Sequence, residues 1–596
     1  MKKLLALITC LVMLCLVPGA LADGIVLQDI PAEEAVRPNP ADPYDDPLEG
    51  FYKWFAQIDK ETTRDFIVYI PASGVLKMQT VYIACPAGVD PAQFLVDTGW
   101  VAAAEKHIFR IACLYTDGEW AENPADDFPY LEAVRARMRK RIYWNGGNAS
   151  FYLVGYEGGA DLMSYAAMID GTHYAGLAAF GGKGVSSEVM DKLATMPVDH
   201  EGFIDESKTF AELPARTWMF VPEMTDQLQA NVNFWKKANG VADNAIALNC
   251  EYADEMYLQP AFTDTLEWTE QSVGALYLTK TADFYAEGLA EKVYTQFLQK
   301  AWRYEGYANC GLRAYKDPRT DDHFSYHNIE VDGWNREYWV YVPDCVKDSA
   351  EPVPMVLAIH GSGGTGWEMI TRTDWHKVAA RAGFIVVYPT GLFGSDSTGA
   401  GTGWNTGAAK ENRVDDIVFA RAMIEEVEKN YNVDPSRVYA CGHSAGTHMA
   451  TALVVRCSDL VTAIATSAPV FGEGGYEAMK ALVTDPKEVA VLASLGTMDE
   501  YAVEQEGVAD VDGLRGRSYM EYWKDFYGFD PDNYAYYKNG NYENYVYCKA
   551  DGTPVYQWVK VEGKLHAPLP EEELLFYEFM CKYSRGANGE LLYMGK

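Results

Sequence analysis

At 596 residues, 48% hydrophobic and 23% charged, the chain is too long for one ordinary hydrophobic core and reads as two large globular domains. Its formal net charge of -35 repels phosphate backbones and anionic lipid, which argues against nucleic acid and against a membrane surface as partner. The charge says nothing positive about substrate.

Lys2 and Lys3 precede the apolar run "LLALITCLVMLCLV", and Ala20-Leu21-Ala22 gives the small-residue pattern of a signal-peptidase site. Residues 1–22 therefore read as an export signal, with the mature chain beginning near Asp23 in an extracellular setting. Cys10 and Cys15 lie inside that run without the small residue a lipoprotein site needs before its cysteine, so free export is expected. No later stretch of about 18 apolar residues predicts a membrane span. Residues 23–50, rich in Pro and acid, read as an extended lead-in rather than core.

Short β-branched and aromatic runs then alternate with amphipathic stretches. "DFIVYIP" (65–71), "TVYIACP" (80–86), "IFRIACLY" (108–115) and "SFYLVGY" (150–156) read as strands, and "YLEAVRARMRKRIY" (130–143) as a helix. Such alternation specifies an α/β fold, a mostly parallel sheet flanked by helices. The same series then returns. "TTRDFIVYIP" is answered by "WNREYWVYVP", "TVYIACPAG" by "PMVLAIHGSGG", and "NASFYLVGYEGG" by "DPSRVYACGHSAG". Later, "NVNFWKKANGV" parallels "YMEYWKDFYGF", and "LAEKVYTQFLQKAWRY" parallels "PEEELLFYEFMCKYSR". Order, spacing and aromatic positions repeat over six segments, which predicts a duplicated domain: 51–318, then 319–596 after the polar "YKDPRTDDH".

Of the eleven cysteines two lie in the signal; nine remain, an odd number, and no disulfide is assigned. Cys85, Cys113 and Cys441 sit in strand-like apolar runs as small buried hydrophobes. His323 and His327 are the nearest thing to a metal pair, but two ligands without a third or fourth do not make a site, and neither a metal nor another cofactor is assigned.

"CGHSAG" (441–446) carries the chemistry. A strand leads in, a helix leads out, and Gly442 and Gly446 permit the tight turn that holds Ser444 clear of the sheet, with the N–H of Ala445 aimed at a developing oxyanion. A serine requires a base oriented by an acid. The strand "EVAVLASLG" ends just before Asp499, the acid on chain order, with Glu500 as the fallback; His566, in "KLHAPLP", is the only histidine beyond it. The Gly-rich "HGSGG" loop supplies a second oxyanion donor at the N–H of Ser362, with His360 bracing the loop, His443 beside the nucleophile and His448 one turn beyond it.

Together "HGSGG", "GFIVVYPTG", "GWNTG", "RVDDIVFARAMI", "VDPSRVYACGHSAGTHMA", "GTMDE" and the late His566 resemble the secreted polyhydroxybutyrate depolymerase and feruloyl esterase group of α/β-hydrolases, of carbohydrate esterase family one type. The resemblance covers 334–585 strongly, and the first half only through the repeat. It implies a tandem of α/β-hydrolase-type domains with a secreted serine esterase in the second, and Trp404, Asn405, Trp367 and His443 near the substrate. One departure is "HAPLP" where the family often flanks its last histidine with tryptophan and proline.

At the first elbow, "VGYEGG" (154–159), Glu157 stands where Ser444 stands in the second; "CPAG" replaces "HGSGG", and no histidine occurs between His200 and His323. Asp226 is the one echo of an acid. The first domain is therefore read as catalytically degenerate, either a scaffold or a polymer-binding unit using aromatics such as Trp218, Trp235 and Trp268. The leading function is hydrolysis of feruloyl or acetyl esters on plant polysaccharide. A polyester depolymerase is the main alternative, and a serine peptidase or an inert binding protein are the further ones. The partner expected is an ester on a polymer; oligomeric state leaves no mark in the sequence.

Overall fold

The computed structural model describes residues 25–31, 40–41, 43–44, 48–139, 151–245, 253–259, 273–393, 402–406, 415–469, 487–499, 501 and 517–596. Residues 1–22, expected to be an export signal, Glu500 and Trp268 lie outside the described residues.

The first half builds one ten-stranded sheet from β1 (Leu27–Asp29), β2 (Gly50–Gln57), β3 (Thr63–Ile70), β4 (Thr80–Ala84), β5 (Arg110–Leu114), β6 (Phe151–Tyr156), β7 (Gly176–Phe180), β8 (Arg216–Phe220), β9 (Glu255–Leu258) and β10 (Ala275–Thr279), in the order β1-β2-β3-β5-β4-β6-β7-β8-β10-β9. A two-stranded hairpin follows, β11 (Ala301–Tyr304) with β12 (Gly311–Ala314). The second half builds another ten-stranded sheet from β13 (Phe324–Val331), β14 (Trp334–Tyr341), β15 (Val353–Ile359), β16 (Ile385–Pro389), β17 (Val433–His443), β18 (Ala463–Ser467), β19 (Ala490–Gly496), β20 (Ala535–Asn539), β21 (Tyr542–Cys548) and β22 (Pro554–Val561). Its order is β13-β14-β16-β15-β17-β18-β19-β22-β21-β20.

Strand for strand, the two orders coincide once β1 and β20 are set aside. Strand direction coincides as well: β2–β3 and β13–β14 are antiparallel, β4–β6 and β15–β17 parallel, β9–β10 and β21–β22 antiparallel. Register follows too, since Tyr152 faces Val81 and Gly176 as Tyr439 faces Val356 and Ala463. The cause lies in the sequence: central strands such as "FYLVGY" and "RVYACGH" are covered by helices on both faces, so their apolar residues run on without alternation. Each sheet has one apolar cluster per face, and Trp235 and Trp523 occupy matching positions on the helices Asp226–Ala238 and Arg517–Tyr527, both buried.

The lead-in departs from its expected character. Leu27–Asp29 adds a strand to the first sheet, while Tyr44 is buried, its hydroxyl donating to the carbonyl of Thr390 at 3.2 Å and accepting from Arg336 Nε at 3.1 Å. Arg336 in turn pairs with Asp416 at 2.6 Å, with both side chains 0% exposed. A phenol that satisfies a buried ion pair outweighs the local preference for extended chain, so part of the lead-in is core.

His323 and His327 do not share a turn. His323 bonds Asp321 at 2.6 Å and Asp344 at 3.2 Å, whereas His327 is on β13, its Nε2 bonded to Ser325 Oγ at 2.7 Å. Among the described residues no group of three or more His, Cys, Asp or Glu is placed to hold a metal. The eight described cysteines are free thiols, with Cys85, Cys113 and Cys441 buried. Among the described residues no helix is long and apolar enough to cross a membrane.

Candidate active site

β17 lies at the centre of the second sheet, and at its end the chain turns through Ser444 into the helix Ala445–Arg456. Ser444 has φ 52 and ψ -116, a conformation that costs a residue with a Cβ on the order of 1–3 kcal/mol. The flanking glycines make the turn sterically feasible: a Cβ on Gly442 would lie 2.1 Å from the carbonyl oxygen of Gly446, and one on Gly446 2.4 Å from that of Ile359. The Ser444 N–H donates to the carbonyl of Ser467 at 3.0 Å, tying the elbow to β18. The Gly-rich loop lies against it, because a Cβ on Gly361 would sit 3.4 Å from that of Ser444; the half-buried Ser362 is its next residue.

Asp499 follows β19 and is fully buried. Its carboxylate accepts from His566 Nδ1, at 3.0 Å and 2.9 Å from the two oxygens, and from the N–H of Tyr501 at 3.0 Å. With Nδ1 carrying the proton given to Asp499, Nε2 is the basic nitrogen of His566. Its ring stands 4.9 Å from that of His443, the neighbour of Ser444, and 4.5 Å from that of Tyr501, which is 51% exposed. Among the described residues no hydrogen bond joins the Ser444 hydroxyl to His566; such bonds often form fully only with substrate in place. Burial, and after it the neighbouring His566, holds His443 well below the ordinary histidine range, so His443 is neutral.

Beneath the elbow is a pair that sequence reading missed. Lys564 Nζ meets both carboxylate oxygens of Glu572, at 2.6 Å and 2.8 Å, and the Ser467 hydroxyl at 2.8 Å, with its side chain 0% exposed. Ser494 also bonds Glu572, and the carbonyl of Lys564 accepts from the N–H of Met498 at 3.1 Å. One buried charge pair thus ties together β18, β19, the Asp499 turn and the His566 loop. A lysine and a glutamate in sequence read as a solvated face, and no pattern marks them as buried.

His360 braces its loop: Nδ1 donates to the carbonyl of Gly361 at 2.6 Å, Nε2 accepts from the N–H of Gly391 at 2.8 Å, and burial pushes its pKa down to about 4. Of the residues assigned to substrate, His443 stands beside His566, whereas Trp404, Asn405 and Trp367 are engaged in packing. Trp404 is buried beside Phe419, Met423 and Met449, its indole N–H donating to the carbonyl of His360 at 2.9 Å. Asn405 is buried as well and receives Asp416 through its backbone. Both hold the wall under the site. Trp367 contacts residues from before the second sheet, donating to the Tyr315 hydroxyl at 3.1 Å under the Arg319 guanidinium. Tyr501 is instead the exposed aromatic beside His566; without knowledge of the turn after Asp499, nothing in the sequence singles it out.

The first half repeats the elbow with a glutamate in place of the serine. Glu157 has φ 53 and ψ -121, and the glycines persist: a Cβ on Gly155 would lie 2.5 Å from Ala160 Cα, and one on Gly159 2.7 Å from the carbonyl oxygen of Ala84. After β10, where the second half has His566, stand Phe284 and Tyr285, and the Tyr285 phenol sits beside Glu157, its pKa raised by burial and then by that carboxylate. Asp226 opens a helix as an exposed residue and has no histidine to orient. Trp218 and Trp235 are 0% and 1% exposed, so neither is a surface for polymer.

Residues 336–488 match the family described as esterase PHB depolymerase. Over that stretch the chain is similar to PHB-depolymerase-type esterases. The chain is 25% identical over 252 residues to the bifunctional acetylxylan esterase/xylanase XynS20E of Neocallimastix patriciarum, covering 42% of the present chain and 34% of that protein. It is 24% identical over 264 residues to poly(3-hydroxyalkanoate) depolymerase C of Paucimonas lemoignei, covering 40% and 60%. The chain thus spans between a third and three fifths of the length of those two relatives. Among solved structures, the acetyl xylan esterase from Aspergillus awamori aligns with a TM-score of 0.34 at 17% identity, over 43% of this chain and 99% of that one.

Proposed function

We propose that residues 319–596 form a serine carboxylic ester hydrolase and that residues 51–318 are a non-catalytic hydrolase-like unit. The observation that carries the reading is the buried Asp499 carboxylate bonded to His566 Nδ1 at 2.9 Å, beside an elbow that holds Ser444 at φ 52. Ser444 Oγ attacks the ester carbonyl carbon while His566 Nε2 takes its proton. The tetrahedral oxyanion is received by the N–H groups of Ala445 and Ser362. As it collapses the C–O bond to the alcohol breaks, and His566 returns the proton to that leaving oxygen. Water then repeats the sequence on the acyl-serine, releasing the acid. Asp499 holds the imidazole tautomer throughout.

Residues 1–22 direct export, and the substrate is an acetyl or feruloyl ester on plant polysaccharide outside the cell. Support comes from the acetylxylan esterase relative and from the family resemblance of the motifs around Ser444. Turnover of acetylated xylan, methyl ferulate and polyhydroxybutyrate film tests it. Release of acetate or ferulate is the expected result; hydrolysis of the film alone moves the assignment to a polyester depolymerase, and no turnover of any ester sinks it. N-terminal sequencing of exported protein, expected to begin near residue 23, tests the signal.

A further inference from the structure

The first half has no triad, yet one piece of it touches the loop that carries His566. The chain leaving the first sheet forms the hairpin β11–β12, and the corresponding hairpin of the second half is Tyr583–Arg585 with Leu591–Tyr593. That later hairpin ends the chain; the earlier one turns toward the second half. Leu565, immediately before His566, donates its N–H to the carbonyl of Gly306 at 3.0 Å. Pro568, two residues after His566, accepts from the Tyr304 hydroxyl. Glu571, in the first turn of the helix Pro570–Met580, accepts from the Tyr307 hydroxyl at 3.0 Å. His566 is thus fastened on both sides to residues 304–307.

The hairpin is itself rooted in the first half. Arg303, 0% exposed, donates to the carbonyls of Tyr174 at 2.8 Å, Cys310 at 3.2 Å and Pro214. The Tyr152 hydroxyl, from the start of β6, donates to the carbonyl of Ala301 at 2.7 Å. On the other side Arg313 pairs with Asp374 at 2.5 Å, and Trp302 and Tyr304 enter the apolar cluster of the second sheet. Contact is close at the tip, where a Cβ on Gly306 would fall 2.6 Å from Leu569 Cδ2.

We infer that Tyr304, Gly306 and Tyr307 are positioning residues for His566, and that fixing the base is what the triad-less half contributes to the reaction. The inference rests on the reading of His566 as that base. Within the second half the loop between β22 and the Pro570–Met580 helix is held from the β19 side, where the Lys564 carbonyl accepts from Met498 N–H at 3.1 Å and Gly563 N–H donates to the Thr497 hydroxyl at 2.9 Å. The hairpin supplies a second anchor, from the first half, on the residues that flank His566. Misplacement of a reacting group by about 1 Å costs on the order of a hundredfold in rate.

The test uses the full chain with Tyr304→Phe, Tyr307→Phe and the double change, each made also in a His566→Ala background. For the double variant kcat on a short p-nitrophenyl ester should fall by about tenfold or more, with KM within about twofold. In the His566→Ala background the same changes should leave the residual turnover where it was, because the group they act through is gone. A folded double variant with wild-type kcat, or a loss of equal size without His566, overturns the inference. If Tyr304→Phe fails to fold by circular dichroism, Tyr307→Phe alone decides by the same comparison. Failure of the triad reading looks different: wild-type turnover in His566→Ala by itself, which would take this inference down with it.

Discussion

The two elbows share a backbone and differ in a side chain. Ser444 and Glu157 sit at φ 52 and φ 53, each after a central strand, each before a twelve-residue helix, each between glycines whose missing Cβ the packing demands. In one, the strand that follows two places along the sheet delivers a buried acid and the next a histidine; in the other those places hold exposed Glu223 and Asp226 and then Phe284 and Tyr285. The strained turn is therefore a property of how strand and helix pack, while the chemistry depends on loops that packing leaves free to vary. Fold is retained where side chains must interlock, and loop residues differ where they need not.

The comparison breaks first at the serine. Ser444→Ala should lower kcat by roughly 10⁴- to 10⁶-fold in a folded protein, and His566→Ala should match it, as measured on a p-nitrophenyl ester; equal turnover would place the chemistry elsewhere. Asp499→Asn should cost about 10⁴-fold through the wrong imidazole tautomer. At the buried pair, Lys564→Met leaves Glu572 as an uncompensated charge under the elbow, a destabilisation of about 3–5 kcal/mol by denaturant titration. A variant as stable as wild type would remove the pair from the account of how the site is held.

Acid should weaken the fold through the buried histidines of the second half. His360 and His376 both lie at about 4, pushed down by burial, so below pH 6.5 the unfolded chain takes up protons that the folded chain refuses. Stability is full above pH 6.5 and is lost as pH falls toward 4, on the order of 3 kcal/mol per histidine by its lower limit. Thermal midpoints across that window test the sign; a midpoint that rises on acidification contradicts it. The smallest effect belongs to the first elbow, where Glu157→Gln should leave ester turnover within about a factor of two. A large loss there would mean that the first elbow takes part.

Much of this was legible in sequence for identifiable reasons. Strands buried on both faces leave unbroken apolar runs, so the doubled sheet could be read from "FYLVGY" and "RVYACGH". Chain order pointed to Asp499 and His566 because a single histidine remained after the acid. What could not be read depends on distance in three dimensions. Trp404 and Asn405 carry the residue types of a binding site, and only burial reveals them as braces. Lys564 and Glu572 look like surface charges until the fold closes over them. Tyr44 lies in a segment whose composition says extended chain, and its hydroxyl finds a partner 346 residues away. The hairpin that holds His566 sits in "KAWRYEGYANCGLRAY", where the repeat aligns a helix end and hides the contact across the halves.

The central claim is that one elbow is a nucleophile and its twin is not. A fluorophosphonate probe applied to the intact protein, followed by peptide mapping, tests this at both elbows in one experiment. A single adduct is expected, on Ser444, abolished in Ser444→Ala and strongly slowed in His566→Ala. An adduct within residues 51–318, or undiminished labelling without Ser444, would contradict it.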